Sequence, residues 1–193
     1  MPEAVFAIAR GRRADSGVKA SIFTVSRAGP GSLSTMARPR GGDWLVDEMR
    51  ALRDAGADVI VSMLTRSEVQ ELDLQAEADA AAAAGLRFIA LPTPDCGLPD
   101  SSRFGDLVED IADELFADRH VVVHCRMGIG RASLVAAAVL VSEGISPDDA
   151  WEAIAEARGL AVPDTAEQRT WLEFFRRQGN DHLPLGEPLE ERP

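Results

Sequence analysis

The sequence has two cysteines, three histidines and no tyrosine among 193 residues, and of its 20 basic residues only Lys19 is a lysine. Two cysteines, Cys96 and Cys125, cannot build a disulfide framework. His120, His124 and His182 do not stand at a metal-ligand spacing, which argues against a structural zinc site. Without tyrosine, no tyrosine ring is available to stack on a bound aromatic group. Long apolar runs are missing too. The longest, Leu134 to Val141, falls far short of the roughly 20 residues that span a bilayer. The first stretch, Met1 to Gly17, lacks the apolar core and cleavage site of a signal peptide. A soluble, cytoplasmic protein is expected. Basic charge is also scarce: 32 acidic residues against 20 basic give a net charge of −12. That balance is unfavourable for general binding to nucleic acid or to an anionic membrane.

What is present suits a packed core. Apolar residues make up 46% of the chain and charged residues 27%, which excludes disorder as the default. The length predicts one domain over 1–193, with no internal repeat. Ala4 to Ala9 reads as a strand and Gly11 to Gly17 as a turn. Ala20 to Val25 and Ser32 to Ala37 suit a hairpin joined at Ala28-Gly29-Pro30-Gly31.

After Gly41-Gly42 strands and helices alternate. Trp44, Leu45, Glu48, Met49 and Leu52 form a helical face that Gly56 ends. Asp58 to Leu64 reads as a strand buried on both faces. Residues 67–84 are helical in one or two pieces, and Leu86 to Leu91 is the next strand. Phe104, Leu107, Val108, Ile111, Leu115 and Phe116 mark an amphipathic helix capped by Ser101 or Ser102. Val121 to Val123 is a further buried strand, followed by an apolar helix from about Ala132 to Glu143. Ser146-Pro147-Asp148-Asp149 is a helix start with an N-cap, proline at N1 and acids in the first turn. Asp164 or Thr165 caps a last helix carrying Trp171, Leu172, Phe174 and Phe175, and a polar tail begins at Gly179. The expected fold class is α/β, a mostly parallel central sheet with helices on both faces.

The chemistry lies in His124-Cys125-Arg126-Met127-Gly128-Ile129-Gly130-Arg131-Ala132, where a strand passes into a helix. A glycine-containing turn can aim several backbone N–H groups into one concavity, and a helix N-terminus adds positive potential. Such a cradle fits a phosphate dianion. Arg131 can grip two of its oxygens in a fork. The same surroundings favour a thiolate at Cys125, which can attack phosphorus against donors set in advance for the transition state.

His124-Cys125, five residues, then Arg131 resembles the HCxxGxxR signature of the cysteine-based protein tyrosine phosphatases, most of all the compact dual-specificity and cyclin-dependent-kinase-associated group. Pro94-Asp95-Cys96-Gly97-Leu98-Pro99 is similar to that superfamily's general-acid loop, PDxGxP. The resemblance covers about 35–178. It implies a phosphatase-like fold, a cysteinyl-phosphate intermediate and no metal or cofactor. It makes Asp95 the general acid, which then helps activate the hydrolytic water. Asp100, outside the PDxGxP frame, is the rival acid and better suited to starting the next helix. The implied partner is a phosphorylated protein, most of all one carrying phosphotyrosine, with phosphoserine and phosphothreonine as further substrates. By the same analogy Gln168 sits near the attacking water, and His124 supports the loop.

One position departs from the family. Ala132 stands where Ser or Thr usually follows the arginine, and Ser133 comes one residue late. The missing hydroxyl would assist the cysteine as it leaves, so slow phosphoenzyme breakdown and burst kinetics are expected. Cys96, next to the acid, is a candidate redox partner for Cys125. Arg126 points to the pocket rim or to solvent, and Arg38, Arg40 and Arg66 are candidates for the mouth. Three alternatives share parts of the pattern. One is a sulfurtransferase or arsenate reductase. Another is a phosphatase of a lipid, small molecule or RNA 5′ end. The third is a phosphate-binding module with little turnover.

Overall fold

Short β-branched runs bounded by turn residues become the strands, and the amphipathic stretches between them become the helices that cover the sheet. The structure, a computed structural model, describes residues 19–181. The expected strand at Ala4 to Ala9, the turn at Gly11 to Gly17 and His182 lie outside the described residues. A sheet of five strands has the order β1-β2-β5-β3-β4, formed by β1 (Phe23–Val25), β2 (Ser32–Ala37), β3 (Val59–Ser62), β4 (Arg87–Ala90) and β5 (His120–Cys125). Among the described residues only β1 runs antiparallel, closing the hairpin with β2; β2, β5, β3 and β4 are parallel. The hairpin is shorter than expected at its first strand, which begins at Phe23 and not Ala20.

Strand alternation sends side chains to two cores. Val59, Val61, Val121 and Val123 face α4 (Ser101–Phe116), α5 (Arg131–Ser142), α6 (Pro147–Arg158) and α7 (Ala166–Asp181). Ile60 and Val122 face α1 (Leu45–Asp54) and α3 (Glu77–Ala84). Helices therefore cover both faces, as expected. The helical stretch at 67–84 is two pieces, α2 (Arg66–Glu71) and α3. α7 continues through Gly179 to Asp181, past the expected start of the tail.

Local capping explains several boundaries. Asp100, and not Ser101 or Ser102, caps α4 by accepting the Arg103 N–H at 3.1 Å. The carboxylate reaches the third residue of the helix, where it meets an otherwise unpaired amide and the positive end of the dipole. Asp100 is thereby a helix cap, as the sequence reading preferred. Ser146 caps α6 with Pro147 in its first turn, and Thr165 accepts the Gln168 N–H at 3.2 Å at the start of α7.

Helix α5 is buried almost all round and forms the centre of the larger core. Phe104 of α4 packs edge-on against Trp171 at 4.8 Å and Phe175 at 5.3 Å, fastening α7 to that core. Phe104→Ala is expected to cost about 3–5 kcal/mol, the range for an aromatic cavity. A urea midpoint unchanged from the wild type would contradict this packing.

Candidate active site

Strand β5 ends where its neighbours end, so whatever follows it emerges at the carboxyl edge of a parallel sheet, the usual ligand side. Ala37 of β2 pairs with Cys125 in register, and Ser62 of β3 pairs with His124. Beyond Cys125 the chain turns through Gly128 at φ +73° before entering α5. A Cβ on Gly128 would stand 2.4 Å from the Met36 carbonyl oxygen, so only glycine lets the loop lie this close to β2. The Gly128 N–H points at Cys125 Sγ, 3.2 Å away. An amide aimed at sulfur stabilises negative charge there. Cys125 itself is buried and unpaired.

Arg131 is the hub of the loop. Its side chain is only 2% exposed. Nη1 donates to Glu68 Oε2 at 2.8 Å and to the Thr93 carbonyl at 2.8 Å; Nη2 donates to Glu68 Oε1 at 2.7 Å. Glu68 thus takes one edge of the guanidinium in a fork. Nη2 also reaches Asp95 Oδ1 at 3.0 Å, with the Asp95 side chain 61% exposed. Asp95 therefore sits at the phosphate loop, touching the arginine's second edge with its carboxylate. The structure brings Asp95 to Arg131, and the loop amide of Gly128 to Cys125.

Glu68 was missed. Its signal was available: Thr65 and Glu68 form a capping box in which the Thr65 side chain accepts the Glu68 N–H and Glu68 accepts the Thr65 N–H. The same carboxylate then turns inward to Arg131. Arg158 was missed as well. At the end of α6 it donates to the Met127 carbonyl at 3.1 Å and lies 4.1 Å over the Phe23 ring. Burial pushes its pKa down, opposed by Cys125.

The remaining loop residues fall as follows. His124 is fully buried on the opposite face of β5 from Cys125, its Nε2 2.9 Å from Glu77 Oε1 but not aligned for a hydrogen bond. Arg126 turns to the surface, donating to Glu71 at 3.0 Å. Met127 is exposed, Ile129 is partly buried against the larger core and Ala132 is fully buried. Ser133 Oγ faces the Gly128 carbonyl at 3.5 Å, a hydroxyl directed to the loop backbone. Cys96 is exposed, unpaired and at φ +52°. Arg38 and Arg40 line a cavity of about 270 Å³ beside β2, whereas Arg66 lines a separate one of about 380 Å³.

Residues 34–145 match the family described as Tc-R-P, polymorphic toxin system, DSP-PTPase phosphatase. The chain belongs to this family. Among curated relatives, cyclin-dependent kinase inhibitor 3 of Rattus norvegicus is 31% identical over 127 residues, 65% of this chain and 60% of that protein. The Homo sapiens protein of the same name is 30% identical over 134 residues, 68% of this chain and 63% of the relative. The chain spans 60–66% of the length of these relatives. Among solved structures, kinase associated phosphatase with its catalytic cysteine changed to serine superposes with a TM-score of 0.79 at 24% identity. That match covers 86% of this chain and 99% of the other. Tk-PTP in its active form gives 0.63 at 24% identity, covering 81% and 97%. Both likenesses agree with the phosphatase fold expected for a DSP-PTPase. No helix among the described residues is long and apolar enough to cross a membrane.

The ion pair with Arg131 holds the Glu68 carboxyl down to about 2 from 4.5. A depressed carboxyl contributes stability that is complete above its unfolded pKa and lost as pH falls through the folded one. The stability advantage of the wild type over Glu68→Gln is therefore expected to be constant near neutrality and to shrink between about pH 5 and pH 2. Urea unfolding across that range checks it; an advantage independent of pH would contradict the pairing.

Proposed function

We propose that the chain is a metal-independent phosphatase of phosphorylated proteins, with phosphotyrosine the leading substrate and phosphoserine and phosphothreonine further ones. The carrying observation is the Cys125 sulfur held at 3.2 Å by a loop amide while Arg131, clamped by Glu68, stands beside it with Asp95. The donors are in place before substrate arrives, so little reorganisation accompanies the reaction.

The reaction has two halves. Cys125 attacks phosphorus as a thiolate, and the ester bond breaks with the proton of Asp95 going to the leaving oxygen. The loop amides and the free edge of Arg131 bind the equatorial oxygens, and Asp95 gives up its contact with Nη2 as phosphate arrives. Water then hydrolyses the phosphocysteine. Buried Ala132 offers no hydroxyl to the departing sulfur, and Ser133 is directed to the Gly128 carbonyl. The second half is accordingly the slow one. The acidic chain and the apolar Ile129 at the loop support protein substrates over anionic lipids.

The test is release of phosphate from an aryl phosphate with chelator present. Wild type should turn over, Cys125→Ser should be inactive, and Asp95→Asn should lower kcat by roughly 10²–10³, within the usual range for a general acid. Undiminished turnover in Cys125→Ser, or none in the wild type, would overturn the proposal. Phosphopeptides carrying each phosphoresidue then rank the substrates.

A further inference from the structure

We propose that Asp164 is a second acid–base residue of this site, the group that takes the proton from the water hydrolysing the Cys125 phosphocysteine. The proposal rests on the phosphatase reading above and assigns to Asp164 a step that the family resemblance gives to Asp95.

The residue lies just before α7, far in sequence from the phosphate loop, yet its carboxylate lies against Gly130 of that loop. The approach is tight. A Cβ on Gly130 would stand 2.2 Å from Asp164 Oδ2 and 3.1 Å from Gln168 Oε1. Glycine at this position is what lets the two side chains reach the loop. Gln168 is fully buried, and among the described residues both atoms of its amide lack a hydrogen-bond partner. A buried amide left open beside a carboxylate needs a polar guest, and a water molecule with two or three such partners is the usual one. The geometry thus marks a water position between Asp164, Gln168 and Gly130, at the start of α5 and against the loop that would carry the phosphoryl group.

The two carboxyls of the site differ in what they suit. Asp95 is exposed and meets the Arg131 guanidinium at 3.0 Å; Asp164 is exposed as well, but its carboxylate lies against the Gly130 backbone beside the buried Gln168. Burial, and next the charge of Asp95, push the Asp164 pKa up, with Arg131 pulling it the other way. A raised carboxyl accepts a proton more readily. In the step itself the water oxygen forms a bond to phosphorus. The P–S bond breaks with its electron pair returning to Cys125 Sγ as thiolate, and one water proton passes to Asp164. Inorganic phosphate leaves, and Asp164 returns its proton to solvent. The lack of a hydroxyl at Ala132 leaves the sulfur without that assistance, so the push from an activated water matters more in this chain.

Rapid-quench kinetics with an aryl phosphate, read on the full chain, separates the two halves. In Asp164→Asn the burst of phenolate should keep its wild-type rate and amplitude while steady-state turnover falls at least tenfold. Intact-mass measurement at steady state should show most chains carrying one phosphoryl group on Cys125. Asp164→Ala should behave alike, and because the burst itself requires a folded loop, its persistence shows that neither variant has lost the site. A burst that falls in parallel with turnover in both variants would overturn the assignment and make Asp164 a support for the loop. Unchanged turnover would overturn it too. Failure of the phosphatase reading looks different: the wild type would then show neither burst nor phosphorylated Cys125.

Discussion

A guanidinium 2% exposed must find partners for every edge, and in this chain most of the active site is the answer to that requirement. Arg131 gathers Glu68 from α2, the carbonyls of Met63 and Thr93 from the segments after β3 and β4, and Asp95 from the acid loop. Two stretches of chain, 63–68 and 93–95, are thereby fixed to the first residue of α5, tens of residues further on. Removing one partner of such a pair leaves an uncompensated buried charge, which is far more costly than the pair is stabilising. The clamp also decides orientation. With Nη1 and Nη2 both bound to Glu68, the guanidinium is held in one orientation.

The sheet sets where this can happen. Because β5 lies between β2 and β3, its following loop is flanked by strand ends on both sides, and Gly128 can lie against the β2 backbone. Strand alternation puts Cys125 with the larger core and His124 with α3, where it approaches Glu77. Two adjacent residues thus tie the loop to opposite layers. Arg158 of α6 donates to the Met127 carbonyl, and Asp164, just before α7, lies against Gly130, so the loop is approached from both of these elements.

The contiguous part of this site was legible in the sequence because one turn builds it. Cys125, Gly128, Gly130 and Arg131 declare a strand–turn–helix cradle by their spacing, and Asp95 lies in a recognisable acid loop. The alternation of strand and helix was legible for the same reason: β-branched runs and amphipathic periods are local signals. What escaped was assembled by the fold. Glu68 looks like one acid in a polar helix until Arg131 is brought to it, although the Thr65 capping box announced the helix start. Arg158 ends an ordinary amphipathic helix, and its approach to Met127 follows from how α6 packs on α5. The choice of Asp100 over Ser101 and Ser102 as the cap turned on a one- or two-residue shift that periodicity does not resolve.

The central claim is that a loop already arranged around Cys125 and Arg131 binds the transition state of phosphoryl transfer. A crystal structure with vanadate tests it most directly. The account predicts vanadium bonded to Cys125 Sγ, equatorial oxygens on the loop amides and on the Arg131 edge that Asp95 vacates, and the Glu68 fork unchanged. Vanadate absent from the loop, or bound with Arg131 released from Glu68, would contradict it.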